Sequence, residues 1–232
     1  MFLKNILPET VKSVPAKLCA AFLCTLLNRL RFSPQNVEFG TKSYDAASIN
    51  TICNENNLSK GLLYHNFKNK DELYLRCVKA CYDELMGCLK AQWPEKLDAP
   101  GGLRRLLELR QSFFEENPYY ANIFFQSLLQ PPKHLRGEIQ EIRREFEELN
   151  TKCYQEILGG LSLRKGITEE LALECFSIFQ EMFNGYFRSK ADQGGDYHAL
   201  VQDHEGKLTK VFDIILYGIA ERQGNEEGLG LD

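Results

Sequence analysis

The residues best equipped for chemistry in this chain are its thiols and carboxylates. The eight cysteines are Cys19, Cys24, Cys53, Cys77, Cys81, Cys88, Cys153 and Cys175. A thiolate can ligate zinc or cycle through redox states. No two of these form a C-x-x-C pair, and no histidine stands at zinc spacing from them. Cys77, Cys81 and Cys88 fall on one helical face. Two readings follow: small apolar core residues, or a thiol-based metal or redox sensor. Reduced thiols are expected. The carboxylates concentrate in Glu138–Glu148 (EIQEIRREFEE), where acids and arginines alternate at the salt-bridge spacing of a solvated helix face. The chain has no G-x-G-x-x-G, P-loop, G-x-S-x-G or H-E-x-x-H. No catalytic residue, metal or cofactor is therefore expected, and no enzyme.

The charge distribution points to a binding function. Residues 1–70 hold nine Lys/Arg against four acids, a balance of +5 in a chain whose net charge is −4. A basic end on an acidic body is the electrostatic layout of a DNA-binding head. At 232 residues the chain accommodates a small domain plus a larger one, and its 44% apolar residues suffice for a core. The apolar run Ala16–Leu27 is too short to span a bilayer and lacks a small-residue cleavage site. A cytoplasmic protein with no membrane partner is expected.

The elements that would position a site are legible from caps and turns. Ser48 caps a helix of about two turns that carries Ile49, Ile52 and Cys53 and ends near Glu55. Asn56-Asn57 follows, where a sharp turn needs a positive φ, and Asn is the best substitute for Gly. Leu58 plugs the gap between helices. Ser59 caps a second helix, Lys60 to about Asn66. Asn69 caps a third, with Glu72 at the capping-box position. Two short helices joined by so brief a turn form a helix-turn-helix, whose second helix enters the DNA major groove.

Tyr44, Ser48-Ile49, Ile52, Leu58-Ser59-Lys60-Gly61, Leu63-Tyr64-His65, Phe67, Lys70 and Leu73 together resemble the DNA-binding signature of the tetracycline-repressor (TetR) family of transcriptional regulators. The match covers about thirty residues. Asn56-Asn57 stands where the family has Ala-Gly. The resemblance implies that Ser48 and Thr51 touch phosphates, and that Ser59, Lys60, Gly61 and Leu62 face the groove. It also implies that Tyr64 and His65 bind backbone or a base edge, and that Lys70 takes a phosphate. Gly61 has its own physical logic, since a position without a side chain lets the backbone come close to DNA. The family leads into Phe39-Gly40-Thr41-Lys42-Ser43-Tyr44 with one uninterrupted helix. Here a helix over Pro15–Leu30 is expected, then Ser33-Pro34 opening a second that runs to about Lys42. An altered first helix carries the alternative reading, a helical interaction protein on the same scaffold that has lost operator binding.

The remaining chain reads as helix throughout, with no strand pattern. A long helix runs from Asn69 to about Gln92. Another begins at Gly101-Gly102 and runs through Glu116. A third starts at Pro118, capped by Asn117, and continues to about Leu129. Further helices cover Lys133–Leu158, Thr168 to about Ala191, and His198 to about Arg222. In the helix after Thr168, apolar residues cover more than one face, so it is expected to bury against a partner as well as its own core. The expected fold is all-α: an N-terminal three-helix head (residues 1–72, with 1–38 atypical), a ligand-binding and dimerisation bundle (73–222) and a polar tail (223–232). The resemblance implies a homodimer through 168–191 and 198–222, a double-stranded, (pseudo)palindromic operator, and a small-molecule effector in a pocket among the middle helices. Phe113, Tyr120, Phe124, Phe146, Tyr154 and Phe179 are candidate aromatic walls for that pocket. The regulator implied is a repressor released from its operator by the effector.

Overall fold

The computed structural model describes residues 34–55, 57–93, 99–194 and 197–219. The expected helix over Pro15–Leu30, Cys19, Cys24 and the 223–232 tail lie outside them. The described chain is helical, without a strand: α1 (Pro34–Thr41), α2 (Ile49–Glu55), α3 (Lys60–Asn66), α4 (Lys70–Gln92), α5 (Ala99–Glu116), α6 (Pro118–Leu129), α7 (Arg136–Gly159), α8 (Glu169–Asp192) and α9 (Tyr197–Ile219). No helix among the described residues is long and apolar enough to cross a membrane.

Local signals account for most boundaries. Ser59 Oγ accepts from Leu62 N, Asn69 Oδ1 from Glu72 N and Thr168 Oγ1 from Leu171 N, so three expected caps form. The capping box at Asn69 differs in one bond: the Glu72 carboxylate takes the amide of Lys68, 2.8 Å away. Three expectations shift. Asn117 does not cap α6 with its side chain; its amide is buried and donates to the Phe113 carbonyl at 2.8 Å, closing the end of α5. The helix expected over Lys133–Leu158 opens as a single 3₁₀ turn, Lys133–Leu135, in which Leu135 N bonds to Pro132 O before α7 begins. Finally, α5 starts at Ala99, ahead of Gly101-Gly102.

The core follows α4, which buries Leu73, Tyr74, Cys77, Val78, Cys81, Tyr82, Leu85, Met86 and Leu89. Full burial of one such aliphatic side chain stabilises by about 1.5–3 kcal/mol. The helix therefore serves both as third helix of the head and as spine of the body. The six described cysteines are free thiols; Cys53, Cys77, Cys81 and Cys153 are buried. Burial raises the Cys77 and Cys81 thiols and pushes Cys153 up to about 11. Kept as neutral thiols, they pack as small apolar groups, and Cys81 Sγ donates to the Tyr120 carbonyl. Among the described residues no cluster of His, Cys, Asp and Glu could hold a metal ion.

Candidate nucleic-acid interface and body cavity

Two short helices are rigid here because each is pinned from below. Ile52 and Cys53 anchor α2, and Leu63 with Phe67 anchors α3. Between them Asn57 takes φ +53°, the left-handed conformation expected of this turn, and Leu58 N bonds back to Cys53 O. The start of α2 is fixed by a buried carboxylate. Glu38 accepts the Ser48 amide at 2.8 Å and the Lys42 ammonium at 2.8 Å, while Ser48 Oγ receives Thr51 N. The positioning role of Glu38 was not read from the sequence. Its one local signal is Lys42 four residues later, a spacing common on any helix.

On the outer face of α3, Lys60, Gly61, Tyr64 and His65 are exposed, Tyr64 to 48%. A Cβ built on Gly61 would meet nothing within 4 Å, so only an approaching partner could use its bareness. Leu62 is half-buried, and so are Ser48 and Thr51 at the head of α2. The Ser59 side chain is exposed but committed to its cap. Lys70 lies apart at the start of α4, its Nζ 4.5 Å from the Tyr44 ring centroid and 3.4 Å from the Asp45 carbonyl. The expected residues therefore form one exposed strip on α3, a half-buried pair on α2 and a flanking cation on α4.

A bridge from the body reaches this head. Tyr44 Oη donates to Asp71 Oδ1, His134 Nε2 lies 3.2 Å from the same oxygen, and the His134 ring meets Tyr44 edge-on at 5.6 Å. The Tyr44 bond, together with His134 and Lys70, holds the Asp71 carboxyl below its ordinary range against partial burial.

Residues 37–77 match the family model for bacterial regulatory proteins of the tetR family. The chain resembles regulators of the tetR family over this stretch, which spans the helix-turn-helix and the start of α4. It is 25% identical over 156 residues to the biofilm operon icaADBC negative transcriptional regulator IcaR of Staphylococcus epidermidis, covering 67% of this chain and 80% of that protein. Two solved regulators share its fold. One from Chloroflexus aurantiacus has a TM-score of 0.54 at 21% identity, covering 93% of this chain and 99% of the other. One from Mesorhizobium loti has a TM-score of 0.57 at 18% identity, covering 85% and 98%.

In this chain the head is braced by α1. A Cβ on Gly40 would lie 2.7 Å from Tyr119 Cβ, so α1 and α6 touch backbone to backbone. Asn122 donates to the Gly40 carbonyl at 2.7 Å and Gln126 to that of Lys42 at 3.1 Å. Pro34 occupies the first position of α1, where its missing N–H costs nothing. The described part of the first helix thus buttresses the head, and the reading in which an altered first helix costs operator binding is not favoured.

The body holds a cavity of about 570 Å³ between α7 and α8. Of the six aromatic candidates Tyr154 lines it, while Phe124 and Phe146 line a small space of about 20 Å³ behind it, beside Arg110. Phe113, Tyr120 and Phe179 line neither: Phe113 stacks on Tyr120, and Phe179 packs on Phe183 and Phe212. Sequence reasoning missed the polar groups here. Arg110, 3% exposed, donates to Glu205 at 2.9 Å. His204 places Nδ1 3.2 Å from Glu205 and Nε2 3.1 Å from Asn184. Arg110 stands inside the apolar stripe of α5, and a charge at a core register position was the available signal.

Proposed function

We propose that this regulator is a homodimeric repressor that leaves a (pseudo)palindromic operator when a small molecule occupies its body. The observation that carries the DNA reading is the exposed strip Lys60, Gly61, Tyr64 and His65 on a helix whose opposite side is locked into the core. In this reading α3 enters the major groove, and Ser48, Thr51 and Lys70 hold flanking phosphates. Ser59 and Leu62 complete the α3 contact surface. The head extends through residue 72 and the body from 73 to 222, with α4 belonging to both; the protein works in the cytoplasm. The repressor sign is supported by similarity to IcaR, a negative regulator.

Dimerisation is supported by an exposed apolar surface on α8 and α9. Leu171, Ile178, Met182 and Tyr186 are 43–66% exposed, and Ile214 and Tyr217 are 70% and 73% exposed. Large side chains gathered on two adjacent helices mark an association surface. A two-fold axis through it would present two heads to two half-sites.

Release follows from connectivity. A ligand between α7 and α8 bears on the start of α7, where His134 touches Asp71 at the head of α4. Such a ligand shifts the equilibrium only by binding the two head spacings unequally. The test is binding to the upstream intergenic DNA at two salt concentrations, followed by anisotropy with competitor DNA present. Tight, saturable, salt-sensitive binding is expected. Binding no tighter than to random DNA, with no sequence enriched from a random pool, would refute the reading.

A further inference from the structure

Asn150 on α7 is 2% exposed, yet neither Oδ1 nor Nδ2 has a hydrogen-bond partner. Buried amides are normally satisfied, because an unpaired polar atom forfeits its hydration with nothing in return. This one lines the cavity between α7 and α8. It can donate one bond and accept another, so it asks for an amide, hydroxyl or similar group.

The same cavity is lined by three arginines against two carboxylates, Glu147 and Glu181, a surplus of positive charge. Arg136, in the first turn of α7, and Arg188, near the end of α8, line it together with Leu128 and Pro131. Among the described residues Arg188 donates to the Leu128 carbonyl, at 3.4 Å, and neither arginine is ion-paired. The third arginine of the lining, Arg143, is neutralised by Glu147 at 2.9 Å. Between Arg136 and Asn150 the helix axis rises about 21 Å. Two long guanidinium side chains reaching inward shorten the gap a ligand must span.

We propose that the effector is an elongated organic anion: its acid group sits on Arg136 and Arg188, and a hydrogen-bonding group some distance along it pairs with the Asn150 amide. This rests on the effector-binding role of the body proposed above. It also places the charged end of the ligand at the start of α7, two residues from His134 and its contact with the head.

The probe is dansyl-11-aminoundecanoate, a fluorescent carboxylate with a sulfonamide at the far end of its long chain; its methyl ester is the neutral control. Titrated into the full-length protein, the acid should bind saturably at one site per chain, and the ester at least tenfold more weakly. The Arg136→Gln/Arg188→Gln pair should weaken the acid tenfold or more and leave the ester nearly unaffected. Asn150→Leu should raise the melting temperature of the ligand-free protein, because it removes an unsatisfied amide, and should weaken the acid several-fold. Equal affinity for acid and ester, no saturable site, or a lowered melting temperature for Asn150→Leu overturns the proposal. Operator binding of the wild type without probe is measured alongside. Operator binding without a charge-selective site defeats this inference alone, whereas a charge-selective site without operator binding defeats only the repressor reading.

Discussion

Lys70 is the flanking cation of the proposed DNA contact. Free of DNA, its ammonium lies over Tyr44 and against the Asp45 carbonyl. Both are weak, partly solvated contacts that a phosphate can replace. Lys70→Ala should weaken binding to every DNA sequence alike and make the slope of log K against log salt shallower by about one unit. Anisotropy over a salt series checks this, and an unaltered slope would mean that Lys70 meets no phosphate. Glu205 is the opposite case, a charge held almost wholly away from solvent. Burial opposes its ionisation, but Arg110 and the His204 hydrogen bond outweigh that and hold the carboxyl at about 2, below its ordinary 4.5. A depressed carboxyl stabilises the fold fully above 4.5, and that contribution drains away as pH falls from 4.5 toward 2. Urea unfolding across this window should show the loss in the wild type. Glu205→Gln should be less stable at pH 7 by about 3–5 kcal/mol, since it leaves Arg110 buried without a counter-charge, and should lack that loss.

At the scale of elements, the contact of α1 with α6 is close enough to leave no room for a Cβ. It forms because Gly40 lets Tyr119 come within van der Waals distance of the α1 backbone, and Asn122 and Gln126 then satisfy its carbonyls. Gly40→Ala gains helix propensity but forces the two helices apart. Overpacking of this kind costs about 1–3 kcal/mol, which exceeds the propensity gain of about 1 kcal/mol. A lowered melting temperature and weakened operator binding are expected together; an unchanged melting temperature would show that the contact yields. The sequence pattern could not display this interface. The buried positions of α1 include Gln35, Asn36 and Glu38, so its inward face is polar and no apolar stripe marks it.

Among the described residues of the molecule, head and body are joined along α4, across α1 and α6, and through Tyr44, Asp71 and His134. In the proposed release mechanism these joints would carry a shift at the start of α7 to the helix that carries the head. The other molecular-scale feature is the exposed apolar face of α8 and α9. Met182, 66% exposed, sits in its middle. Met182→Glu would bring like charges together across a two-fold axis. Sedimentation should show a dimer for the wild type and a monomer for the variant, and operator affinity should fall with it. A variant that stays dimeric would place the association surface elsewhere.

The helix-turn-helix was legible in the chain alone because its signals are local. Ser59 and Asn69 cap within three residues, and the left-handed turn at Asn57 depends on one residue's own backbone preference. The all-α architecture was legible for a related reason: apolar spacing is a property of a segment by itself. The exposed apolar face of α8 also showed, as excess apolar residues on the helix after Thr168. The tertiary structure alone decided which polar residues are buried together. Arg110 and Glu205 are distant in sequence, as are Asp71 and His134, and each pair exists only because helices far apart in the chain pack side by side. For the same reason the aromatic candidates divided, some lining open space and others filling core. A phenylalanine is equally at home in either, and only the packing of neighbouring helices leaves a void beside it.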